Sequence, residues 1–170
     1  MNDAHFHLVV NHLPIVGTLI GFLVLLAGFI LKKPQIKNTA LGIFIFSGLT
    51  TIAAFLTGEG AEEIVENLPG ISETLIHKHE EYAELFQTVI LILGGVSLIT
   101  LFLEYKKLTF SKYGFVLVLL LSVSSIIISK YVGTSGGEIR HTEIRSDANL
   151  IQIDANDNGD VGGSEDHDDE

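Results

Sequence analysis

The chain of 170 residues is long enough for one domain, and it combines 47% apolar residues and a mean hydropathy of +0.43 with a formal net charge of -11. Those properties must therefore occupy different segments, and the negative charge argues against nucleic acid as a partner. No cysteine is present, which excludes disulfides, thiolate metal sites, iron–sulfur clusters and covalent c-type haem.

The chain opens MNDAHFH and stays apolar for more than twenty residues, without the basic start and short apolar region of a cleaved leader. The first segment, Leu8 to Leu31, is expected to be a retained membrane anchor. A helix needs roughly 20 apolar residues to cross about 30 Å of hydrocarbon. Three more segments meet that length: Ala40 to Thr57, about Leu85 to Leu103, and about Tyr113 to Ile128, the last continuing to Tyr131. Lys37 and Lys130 can snorkel at the ends of the two shorter ones. The first connection carries Lys32, Lys33 and Lys37, and the third carries Lys106, Lys107 and Lys112. Basic residues in short loops stay cytoplasmic, so the expected topology puts both termini outside. All seven histidines then fall on the outer side.

Within the first span, His12 of the NHLP stretch (Asn11 to Pro14) lies about a turn below the outer edge, where an imidazole is costly unless paired or ligating. His5 and His12, seven residues apart, share a helical face. The alternative for His12 is a bond to Asn11 or to a neighbouring helix. Gly17 and Gly21 form a G-x-x-x-G that permits close helix packing. The outer loop is broken by Pro69 and Gly70, and Ser72 is placed to cap a third helix that protrudes at its outer end.

On that protruding end, HKHEEYAE (His77 to Glu84) offers two faces. His77 with Glu80, Glu81 and Glu84 follows three- and four-residue spacing and suits a divalent metal or a proton-handling patch, or else an ordinary solvated helix mouth. His79 shares its face with Tyr82, Ala83 and Phe86, an apolar and aromatic surface suited to a haem edge. After the fourth span, Gly133, Gly136 and Gly137 read as a flexible turn, and residues 134–153 as an outer loop or short hairpin containing EIRHTEI and NLIQI. There Arg140 can pair with a propionate or a lipid headgroup, and His141 can ligate. Residues 154–170 read as a disordered acidic tail. Within it Asp154, Asn156, Asn158, Asp160 and Glu165 match the calcium-loop spacing D-x-[DN]-x-[DN]-G-x5-E, with no exiting helix to complete an EF-hand.

The order HLVVNHLPIVG, HKH and GGEIRH resembles an uncharacterised bacterial family of four-helix membrane proteins, over about residues 5 to 145. In that family the first helix opens with a His-Pro and then a His-Phe-Pro element. Here His7 lacks the following proline, and His12 is followed by Leu13 and Pro14. The resemblance implies topology and the importance of these positions without naming a reaction.

The expected fold is an all-α membrane protein, a four-transmembrane-helix bundle over residues 1–133, N-out and C-out, in a bacterial inner membrane. The expected function is b-type haem binding near the outer face, with His12 opposite His79 as axial pair, His7, His77 or His141 as further ligands, and electron transfer as the outcome. Divalent-metal binding or transport, and an accessory role in a larger membrane complex, are the alternatives. A redox carrier or binding subunit is expected rather than a stand-alone enzyme. The lipid bilayer, a membrane redox partner and a second copy of the chain are the candidate partners.

Overall fold

The computed structural model describes residues 2–145, and every described element is helical. The elements are α1 (Asp3–Val10), α2 (His12–Ile30), α3 (Pro34–Leu56), α4 (Gly58–Val65), α5 (Glu73–Tyr105) and α6 (Ser111–Arg140), followed by a short 3₁₀ turn, Thr142–Ile144. Four helical stretches are long and apolar enough to cross a membrane: Ala4–Ile30, Pro34–Val65, Glu73–Tyr105 and Ser111–Arg140. The chain is thus a multi-pass membrane protein by helix length and composition.

α1 and α2 divide at Asn11 for a local reason. Pro14 has no N–H to give the Val10 carbonyl, and its ring crowds that carbonyl. One turn on, the Thr18 hydroxyl donates to Pro14 O at 2.7 Å within α2. Two short turns join α2 to α3 and α5 to α6 with one shared design. Lys33 N–H donates to Gly28 O at 3.1 Å and Lys32 N–H to Phe29 O at 3.2 Å; Leu108 N–H donates to Leu103 O and Lys107 N–H to Glu104 O, both at 2.9 Å. This is the Schellman pattern, which needs a left-handed residue just past the helix end. Lys32 and Lys107 supply it, each at φ 54°. Pro34 at the start of α3 uses a position where its missing N–H is not needed.

The four long helices run alternately up and down. α2 packs on α3, α3 on α5, α5 on α6, and α6 returns to α2. Close approach is made by small residues. Gly21 seats the Phe44 ring, which a Cβ there would meet at 2.7 Å, and Gly48 faces Gly94, where a Cβ would lie 3.5 Å from the Gly94 Cα. Gly17 of the G-x-x-x-G packs on Ser47, so the pair serves packing between α2 and α3.

The interior holds Leu25, Leu41, Phe44, Ile90, Phe115 and Val118 alongside fully buried Thr18, Ser47, Ser97, Ser122 and Ser125. The outside carries Leu19, Leu23, Phe46, Leu49, Ile99, Leu120 and many like them, each more than 45% exposed. Large apolar side chains outward and small hydroxyls inward is the distribution a lipid solvent favours, because hydrocarbon does not drive Leu and Ile inward. Most of the buried hydroxyls satisfy themselves on their own helices, as when Ser125 Oγ donates to Leu121 O at 2.8 Å and Thr100 Oγ1 to Val96 O at 2.7 Å, while Ser97 Oγ and Thr51 Oγ1 are buried without a partner.

Three expectations from the sequence meet a different backbone. The glycines 133, 136 and 137 do not turn the chain; α6 continues through them to Arg140 because its last turns pack on α5 and on Ile144. EIRHTEI is consequently helix and 3₁₀ turn instead of a strand. Ser72 stands at the N-cap of α5, yet its side chain makes no capping bond; its carbonyl instead accepts from Leu75 and Ile76. NLIQI, His167, the tail and the calcium-loop residues Asp154, Asn156, Asn158, Asp160 and Glu165 lie outside the described residues.

Candidate functional site

The six histidines among the described residues gather at one end of the bundle, opposite the Lys32 and Lys107 turns, because each lies on α1, at the start of α2 or α5, or just past α6. The spans of 27 to 33 residues reach about 40–50 Å at about 1.5 Å per residue, well beyond the hydrocarbon. With the lysine turns short, the surplus length lies at this histidine end.

Two imidazoles face inward here. His7 projects from α1 onto the C-terminal end of α3, where Nδ1 lies 3.0 Å from Ala54 O and 3.1 Å from Thr57 Oγ1. The Thr57 hydroxyl donates to Ala53 O and Ala54 O at 3.0 Å. Both His7 partners are therefore acceptors, so Nδ1 carries the proton and Nε2 bears the free lone pair. The ring thus joins the Thr57 hydroxyl as a donor to Ala54 O, one of the last carbonyls of α3.

His79 repeats this arrangement from α5. Its Nδ1 is 3.1 Å from Ser135 Oγ of α6, and that hydroxyl donates to Val132 O at 3.2 Å. The Ser135 proton is engaged, which assigns His79 the same Nδ1–H form with a free Nε2. Gly136 makes room for the ring: a Cβ there would meet His79 Cε1 at 3.0 Å and Nδ1 at 3.2 Å. One turn along, Tyr82 stacks on Tyr131 with ring centroids 5.5 Å apart, and Phe86 is buried, so the apolar and aromatic face expected for His79 does line the bundle. His7 and His79 are electrostatic neighbours, as are His7 and His12.

The remaining sequence candidates sit elsewhere. His12 is exposed, and Asn11 does not pair with it; Asn11 Oδ1 is buried without a hydrogen-bond partner. His77 is exposed and lies 3.1 Å from Glu80, which has Glu62 of α4 as an electrostatic neighbour, while Glu81 and Glu84 are exposed. His141 and Glu143 pair at 2.9 Å in the open. The Glu143 carboxyl is held below the usual glutamate range by its own backbone N–H and by the His141 side chain. Arg140 is exposed. Among the described residues, no three His, Asp or Glu side chains converge on a point that suits a metal ion.

The chain matches no family model, no curated protein and no solved structure. The site therefore rests on geometry.

Sequence reasoning missed the residues that organise this end. Ser135 and Thr57 are unremarkable in a helix rich in serine and threonine; only the register of α5 on α6, and of α1 on α3, makes them partners of imidazoles. Glu138 is buried and lies 3.3 Å from Lys78 Nζ across the same helix pair. Arg145 closes α6: Nε donates to Glu138 O at 2.8 Å, and Nη2 to Ile139 O at 3.0 Å and to Gly70 O at 3.1 Å. A cation at a helix C-terminus satisfies both the orphan carbonyls and the dipole. Its signal was its position, a few residues beyond a long helix.

Proposed function

We propose that the histidine end binds b-type haem through His7 and His79 and serves electron transfer at the outer face of a bacterial inner membrane. The observation that carries this is the matched pair of inward imidazoles, each with Nδ1 engaged by the protein and Nε2 left free. A ligating histidine ordinarily donates its other N–H to a carbonyl or similar acceptor, which holds the ring and its tautomer. The donor set fits haem better than a bare cation. Zinc and calcium require four or more ligands, mostly from protein, whereas a haem would need only the two imidazoles, His7 and His79, that this end offers.

When bound, haem would supply one-electron exchange at its iron, with no open position for oxygen. The chain's contribution is to hold the rings. Ala54 O and Thr57 orient His7, Ser135 orients His79, and buried Phe86 with Tyr82 covers the inner face. Relative to the sequence expectation, His7 takes the place given to His12. The lysine turns support placing this end and both termini on the non-cytoplasmic side. A membrane redox partner or larger complex would receive the electron.

The divalent-metal alternative has one observation in its favour, the approach of Glu62 to Glu80 beside His77. It lacks the convergence of Glu81 and Glu84.

Purified protein expressed with haem supplied should show a Soret band and a pyridine haemochrome. His7→Ala and His79→Ala should each abolish the bis-histidine spectrum, while His5→Ala and His12→Ala should leave it in place. A colourless wild-type protein under those conditions refutes the proposal, and stoichiometric zinc or another divalent metal by elemental analysis would favour the alternative.

A further inference from the structure

A second site lies at the other end of the bundle and is independent of the haem reading. Between α3 and α5 an outward-facing groove starts where Gly48 and Gly94 bring the helices together, with Gly95 beside them. It continues past Leu98, which lines both its parts, into a cavity of about 440 Å³ bounded by Asn38, Leu101, Phe102, Glu104 and Tyr105. The upper part is apolar and narrow. The lower part ends on polar atoms at the level of the lysine turns.

Those polar atoms are of one kind. Asn38 Oδ1 is buried and has no hydrogen-bond partner. Glu104 supplies a carboxylate that forms no ion pair with any described residue. Both are acceptors, and the Asn38 oxygen, buried and unsatisfied, is costly where it stands. Beside them, Lys106 Nζ is held over the Phe102 and Tyr105 rings, 5.7 and 5.8 Å from their centroids. The lysine sits on the rings that form the cavity wall, one residue beyond the end of α5.

We infer that this groove seats one phospholipid with a primary-ammonium headgroup, of the phosphatidylethanolamine type. An acyl chain fills the apolar channel along Gly48, Gly94 and Leu98. The ammonium donates to Asn38 Oδ1 and to the Glu104 carboxylate, and the phosphate meets Lys106. The complementarity is directional: phosphatidylcholine has the positive charge without an N–H to donate, and phosphatidylglycerol brings no cation to Glu104. A bare apolar groove would not distinguish these lipids. Acceptors within the groove and a lysine at its rim do.

The test uses the full chain in nanodiscs of phosphatidylethanolamine, phosphatidylcholine and phosphatidylglycerol mixed in equal amounts. The protein is then released gently into detergent, and its co-purifying lipid is measured by native mass spectrometry. One retained phosphatidylethanolamine per chain is expected. Glu104→Gln, a surface change that leaves the fold intact, should reduce that preference roughly tenfold, the size of a lost charge-assisted hydrogen bond. Asn38→Leu should reduce it too; Glu104→Gln should keep the wild-type melting profile and Asn38→Leu should melt no lower than the parent. Equal retention of the three lipids, preference for phosphatidylglycerol, or a lipid-free dimer sealed through this groove would each overturn the inference. None of these outcomes bears on the haem proposal, which is read from the spectrum.

Discussion

His79 illustrates how a single side chain is committed by its surroundings. Its ring sits between the α5 backbone that carries it and a glycine on α6 that cannot obstruct it, and its Nδ1 proton is met by Ser135 Oγ with the Val132 carbonyl beside it. Replacing Ser135 with alanine removes that hydroxyl and leaves the N–H to the Val132 carbonyl alone. The expected cost is about 1 kcal/mol of stability, the size of one lost hydrogen bond, measured by denaturation in mixed detergent. The same change frees the ring to adopt either tautomer, so the spectrum of any bound haem should broaden or weaken while Thr57 still fixes His7. An unchanged melt and spectrum in Ser135→Ala would show that the serine does not orient the ring.

At the scale of elements, the lysine turns show two requirements meeting on the same residue. The Schellman geometry favours glycine at the left-handed position, and a non-glycine residue there loses roughly 1–2 kcal/mol. Lysine nevertheless occupies it in both turns, at φ 54°. Charge offers the compensating reason, since a cation favours both the C-terminal end of a helix and the cytoplasmic side. Lys32→Gly and Lys107→Gly should therefore each raise the stability of the purified protein by about 1 kcal/mol. Combined with removal of the neighbouring lysines, the same changes should reduce the fraction inserted in one orientation in cells. A glycine variant that melts lower than the parent would mean that these lysines make contacts outweighing the backbone strain.

Over the whole molecule, the glutamates that accompany the six described histidines at one end, from Glu59 to Glu84, and six lysines at or near the other give the bundle an electrostatic polarity that follows from its alternating topology. The chain has no cysteine, so single-cysteine variants report sidedness without background. In intact cells a membrane-impermeant maleimide should label Glu62→Cys and leave Lys107→Cys unlabelled until the membrane is permeabilised. The reverse pattern would place the histidine end in the cytosol and remove the assigned compartment, though the paired imidazoles would remain.

The four apolar runs determine the four spans, because a segment of such length has no stable state in water and only a helix satisfies its backbone in lipid. The alternation of lysine-bearing and acidic connections likewise marks which helix ends lie together, and with them the common location of the histidines. Which histidine faces inward was not legible. His7 and His12 lie five residues apart with the Asn11 break between them, so no helical period states which one meets α3. That is decided by the Pro14 break, which redirects α1 against α4, and by the end of α3, which offers Ala54 O and Thr57 Oγ1 to His7. Ser135, Gly136 and Glu138 gain their roles in the same way, from the register of α6 on α5. Local sequence carries periodicity and solubility, whereas partnership across helices depends on register, and register is a property of the packed bundle.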